Sequence, residues 1–136
     1  MYSIVLICSL SLVLMSCGTS SDDEASNVME IISINPESPA DLSYGEFVII
    51  TYEYMIDNSE GARMWVQPYT SGSISPRFLY SSSSVFHGDG GREVGVSIDD
   101  GDDPVTVDQL RVVMVSPDQS ETLFETYIGV EYNFNE

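Results

Sequence analysis

Glu46-Phe47-Val48-Ile49-Ile50-Thr51-Tyr52-Glu53-Tyr54-Met55-Ile56 is the stretch on which the fold turns. Its even positions are Val48, Ile50, Tyr52, Tyr54 and Ile56, and its odd positions include Thr51 and Glu53. Successive side chains of a strand point to opposite faces, so a period of two marks a half-buried strand. The even face is the expected core face. The strand ends in a loop at Asp57-Asn58-Ser59-Glu60-Gly61.

The alternation returns on both sides. Upstream, Ile32 and Ile34 lead into the turn-rich Asn35-Pro36-Glu37-Ser38-Pro39. Downstream, Ala62 to Gln67 reads as a third strand that stops at Pro68, which cannot donate to a central ladder. The stretch from Tyr69 to Gly91 is broken by Pro76, by Ser81 to Ser84 and by Gly88-Asp89-Gly90-Gly91. It leaves room for short edge strands near Arg77–Tyr80 and Val85–His87. Val94, Val96 and Ile98 then alternate with Glu93, Gly95 and Ser97. Val105 to Val115 forms a long strand with Leu110, Val112 and Met114 inward. Thr122 to Phe134 is the last strand, with Phe124, Ile128, Val130, Tyr132 and Phe134 inward.

Roughly seven strands with closely spaced turn signals and no helical stripe predict an all-β, antiparallel β-sandwich. The order of Ile32-Ser33-Ile34-Asn35-Pro36, Gly45-Glu46 and Val107-Asp108-Gln109-Leu110-Arg111 resembles small bacterial immunoglobulin-like modules. The resemblance spans 28–134. It implies an immunoglobulin/fibronectin-III-like sandwich over 28–136 and carries no common chemistry. A small jelly-roll-like sandwich is the other architecture the pattern allows.

Composition bounds the function. The chain has 22 acidic residues against four basic ones, all arginine, for a net charge of −18. Such a surface repels phosphates, so nucleic-acid binding is not expected. Apolar residues make up 43%, enough for a folded domain. The two cysteines are Cys8 and Cys17, so the domain itself has no disulfide and no thiolate metal site.

Residues Ile4 to Met15 form an apolar run that is short for a bilayer-spanning helix, which needs about 20 residues. The run has signal-peptide length. It ends in Leu14-Met15-Ser16-Cys17, which resembles the lipobox of bacterial lipoproteins. The resemblance implies removal of 1–16 and lipidation of Cys17, giving a membrane anchor through acyl chains. Residues 17–27 then read as a flexible acidic tether. Within it, Ser21-Asp22-Asp23-Glu24 looks like the acidic export tag of some Gram-negative surface lipoproteins. That implies a lipid-anchored protein at the outer membrane, exposed on the cell surface.

Four constellations bear on chemistry. His87 is the only histidine and sits in a Gly-rich stretch with no nucleophile elbow, so a catalytic triad is not expected. Paired carboxylates can serve a glycosidase, but a small sandwich offers little material for a deep cleft. The chain is read as non-enzymatic, with a small hydrolase as the remote alternative. Asp99, Asp100, Asp102, Asp103 and Asp108 offer oxygen ligands for Ca²⁺, although their spacing is not that of an EF-hand. The same run also reads as a solvated acidic turn. Strand parity points Arg63, Trp65 and Gln67 outward, as it does Gln109 and Arg111, and Tyr127 with Glu125 and Glu131. If these strands share a sheet, aromatics and arginines meet on one face, a hot-spot composition suited to a protein or glycan partner. The competing readings are a solvated face with cross-strand ion pairs, or Trp65 as a core tryptophan with the parity reversed.

Overall fold

The computed structural model describes residues 26–136. The expected signal peptide, Cys17 and the acidic tag lie outside the described residues. Of the tether, Asn27 is already fixed: its Oδ1 accepts from the backbone N–H groups of Asp57 (2.8 Å) and Asn58 (3.2 Å).

The described residues form eight strands and no helix. They are β1 (Val28–Asn35), β2 (Ala40–Ser43), β3 (Val48–Ile56), β4 (Arg63–Thr70), β5 (Ser73–Ile74), β6 (Gly88–Val96), β7 (Val105–Val115) and β8 (Thr122–Asn135). They build two sheets, ordered β1-β3-β6 and β2-β8-β7-β4-β5. All pairings are antiparallel except β2 with β8, which is parallel. The chain thus crosses from the edge of one sheet to the edge of the other between β1 and β2. The all-β, two-sheet architecture is the one expected.

The even face of β3 is the core face. Val48, Ile50, Tyr52 and Ile56 are buried, and Glu53 and Met55 are exposed. They pack with Met64 and Val66 of β4, Leu110, Val112 and Met114 of β7, and Tyr132 and Phe134 of β8. Val105 and Val107 are buried too, because a bulge between Val107 and Gln109 switches the inward parity from odd to even.

Three local expectations fail, each for a backbone reason. β4 does not stop at Pro68 but runs to Thr70. The Pro68 carbonyl accepts from Ser75 N–H at 2.9 Å, on the β5 side. A residue's N and C=O point to the same side of a strand, so the missing N–H also faces away from β7 and that ladder loses nothing. The run Gly88 to Gly91 is not a break but the start of β6, in unbroken register with β3. At Gly90 a Cβ would meet the Tyr54 hydroxyl at 2.8 Å, so the missing side chain is what lets that ring lie over the strand. The edge strands expected near Arg77–Tyr80 and Val85–His87 are isolated bridges, Phe78 to Ile98 and Ala62 to Phe86. The four-residue β2 has no counterpart in the sequence reading.

Those two bridges fix a strap, residues 75–87, across the open side between β4 and β6. It begins with Ser75, whose N–H bonds Pro68. It then reaches the end of β6, where Leu79 N–H donates to Ser97 O at 3.1 Å. It returns along the free edge of β4. There Ser83 Oγ accepts from Met64 N–H at 3.1 Å, and the Trp65 indole donates to Ser81 O at 2.9 Å. The Met64 amide, which β5 leaves unpaired, and the Trp65 indole are satisfied this way.

Candidate binding face

β4, β7 and β8 are adjacent, as the sequence reading required. In register, Trp65 lies opposite Val113 and Val113 opposite Glu125. Gln67 lies opposite Arg111 and Arg111 opposite Tyr127. Tyr69 lies opposite Gln109. Arg63, Trp65, Gln67, Gln109, Arg111 and Tyr127 therefore share the outer face of the five-stranded sheet.

They do not share its exposure. Trp65 is 9% exposed, against the expectation of a free tryptophan, and Val113 beside it is 1% exposed. The reversed-parity reading fails as well, because Met64 and Val66 are the core residues and Trp65 stands outside the core cluster. The strap covers it. Trp65 stacks on Tyr80 with ring centroids 6.4 Å apart, and Tyr80 takes the solvent position at 62% exposure. Arg63 is also occupied: its Nε donates to Pro117 O at 2.8 Å and Nη1 donates to Ser83 O.

The accessible part of the face centres on Arg111. Its Nε donates to Glu125 Oε2 at 2.7 Å, and Nη2 stands 2.5 Å from the same oxygen. Its Nη1 donates to Gln67 Oε1 at 2.9 Å, which satisfies the buried Gln67 carbonyl. Burial opposes the Arg111 charge, but the Glu125 carboxylate outweighs it and holds the guanidinium pKa above its ordinary value. Next to this network the Tyr69 and Tyr127 rings meet edge to face at 5.6 Å, and Tyr127 is 44% exposed. Burial raises the Tyr69 phenol, with Arg111 opposing and Tyr127 and Glu125 adding, so the phenol stays a neutral donor at neutral pH. Tyr69 lies beyond Pro68, where the sequence pattern ends the strand, and so escapes the alternation read up to Gln67. Continuing the alternation from Trp65 and Gln67 reaches it directly.

The acidic residues do not converge. Among the described residues no three His, Cys, Asp or Glu side chains are placed to hold a metal ion. Asp108 is engaged apart from the others, accepting from Ser71 N–H at 2.9 Å. Asp99 Oδ1 accepts from Asp100 N–H at 2.9 Å. Asp99, Asp100, Asp102, Asp103 and Asp108, the expected calcium set, are thus not gathered at one point, and the loop is organised on Arg77. That side chain donates from Nε to Asp99 O (3.1 Å) and from Nη2 to Asp103 O (2.6 Å). Its guanidinium also lies over the Tyr44 ring, 5.3 Å from the centroid. A side chain at Gly101 would displace the guanidinium, since a Cβ would stand 2.3 Å from Arg77 Cζ.

No protein-family model matches the chain, and no curated protein sequence matches it.

Proposed function

We propose that the chain is a lipoprotein, anchored through Cys17 and displayed at the outer surface of the outer membrane. On this reading its immunoglobulin-like domain binds a protein partner without catalysis. The immunoglobulin-like reading is supported by the strand order: three strands face five, and the first edge of the chain is divided between both sheets. The lipobox and acidic tag of the sequence support the location.

One observation carries the binding reading. The exposed Tyr127 stands beside Tyr69 and Arg111, and Gln67 and Glu125 hold the guanidinium in place. Aromatic rings next to a pre-positioned arginine lose little entropy on binding. The test is saturable binding of the purified protein to outer-membrane fragments of its own cell. Tyr127→Ala combined with Arg111→Ala should weaken it about tenfold or more, as at a hot spot, with a melting curve to confirm that the variant, which loses the Gln67 bond, remains folded. Equal binding by the double variant refutes the face. The Tyr69–Tyr127 pair also favours a second reading, stacking on a sugar ring, for which a glycan array is the direct test.

A further inference from the structure

We infer that the cavity beneath the strap is a binding pocket for a small carboxylate, with Arg92 as its anchor. The cavity has a volume of about 50 Å³ and lies between β4, β6 and the strap, walled by Met64, Trp65, Val66 and Phe78. Arg92 of β6 and Ser82 of the strap complete its lining.

Arg92 differs from the other arginines. Arg63 and Arg77 bond backbone carbonyls, and Arg111 bonds Gln67 and Glu125. Among the described residues Arg92 has neither a hydrogen-bond acceptor nor an ion-pair partner. It lies instead over Phe86, with Cζ 4.4 Å from the ring centroid, and is half-buried. A ring under the flat face of a guanidinium uses none of its N–H groups, which lie in the plane. Those donors form a fork whose geometry matches a carboxylate in two parallel bonds. Phe86 is itself held against Tyr54, with centroids 6.0 Å apart, so the guanidinium has a fixed platform.

A second polar group, in register with Arg92, lacks a partner. Tyr52 lies directly opposite Arg92 in the β3–β6 register, and both side chains point between the sheets. Its hydroxyl is fully buried and has no hydrogen-bond partner among the described residues. Buried donors left unmade are costly, so they mark places where a partner is missing. Tyr52 does not line the cavity itself, but it puts a second unmet polar group on the rung that carries Arg92.

The size of the space sets the class. One water needs about 10–15 Å³, so the cavity admits a carboxylate head and little more. The rest of the ligand would stand at the mouth, against the exposed serines of the strap. An acidic sugar and an acidic peptide side chain share that head. The field of the chain disfavours anions in general, since the net charge is −18. A saturable anion response must then come from a local site.

Trp65 is the single tryptophan of the chain and lines the cavity, so its emission reads occupancy. Acetate titrated into the full chain should shift that emission saturably, while glucose, and chloride at equal ionic strength, should not. Glucuronate and N-acetylglutamate amide are the two further arms, and the tighter one names the source of the carboxylate. Arg92→Gln should weaken binding about tenfold or more, and Arg92→Lys should weaken it too, because an ammonium lacks the planar fork. A melting curve for each variant confirms folding, and Arg92→Lys keeps the charge if Arg92→Gln does not fold. No saturable response to any carboxylate, or the same response with chloride or in Arg92→Lys, overturns the pocket.

Discussion

Replacing Trp65 with alanine tests the central correction, that the tryptophan is covered by the strap. A buried tryptophan removes about 150–250 Å² from water, and Trp65 retains only 9% of its exposure. At about 25 cal/mol per Å² this is worth roughly 4–6 kcal/mol against an extended chain. The unfolded chain already buries part of that area, and alanine keeps its Cβ, so about 3 kcal/mol is expected. The strap lies at the surface and can relax onto the alanine, which limits the cavity penalty. The lost indole bond adds little, because Ser81 is exposed and its carbonyl can turn to water. For a domain of this size about 3 kcal/mol lowers the melting temperature by roughly 10–15 °C. The assay is urea denaturation followed by circular dichroism, since the variant has no tryptophan to report. Trp65→Phe, which keeps most of the apolar area, should lose about 1 kcal/mol. A loss below about 1 kcal/mol for Trp65→Ala would mean that the indole is solvated, and the strap would not cover it.

Arg77→Ala should destabilise the domain by about 1–2 kcal/mol, because the Asp99 and Asp103 carbonyls lose their shared donor; a thermal melt measures it. With the loop held by Arg77, millimolar Ca²⁺ should raise the melting temperature no more than Mg²⁺ at equal ionic strength. A calcium-specific rise would refute that organisation. The Asp118 carboxylate accepts from Ser116 Oγ, Ser120 Oγ and Ser120 N–H, which hold its pKa down to about 2. A depressed folded value means that this contribution is present above the unfolded carboxylate range, near pH 4, and is lost as pH falls through about 2. A carboxyl NMR titration of the folded chain should show that midpoint, and Ser120→Ala should move it upward. Cys17→Ser should abolish lipidation and leave the precursor uncleaved, which a mobility shift on gels and acyl-chain labelling would show; an unchanged mature form would refute the lipobox reading.

The strand core was legible because its signal is redundant. Val48, Ile50, Tyr52, Met64, Val66, Leu110, Val112 and Met114 each follow the alternation of a strand with one wet face, and all are buried. What escaped was structure that depends on backbone groups or on distant cover. Pro68 looks like a terminator until one knows which edge its nitrogen faces. Gly88 to Gly91 looks like a loop until Tyr54 is known to need the space above Gly90. The face of Trp65 was correctly assigned by parity, but parity is local and knows nothing of a strap arriving from residues 75–87. The acidic run was weighed against calcium because its charges need a counter-ion. The cation that meets its backbone is Arg77, which lies more than twenty residues upstream.

The transfer of the chain from β1 to β2 has a mechanical consequence. β1 and β2 run in the same direction, antiparallel to β3 and parallel to β8 respectively, so the chain enters at one end of the strands and leaves at the other. A pull applied at Ser26 and resisted at Glu136 acts along the strand axes. The four pairs from Ala40–Tyr132 to Ser43–Asn135 must then slide together instead of opening one after another. Stretched between Ser26 and Glu136, this domain should hold until those bonds shear as a group, and the force at rupture should fall sharply if Ala40 or Leu42, which pack against the core, is replaced so that β2 no longer docks.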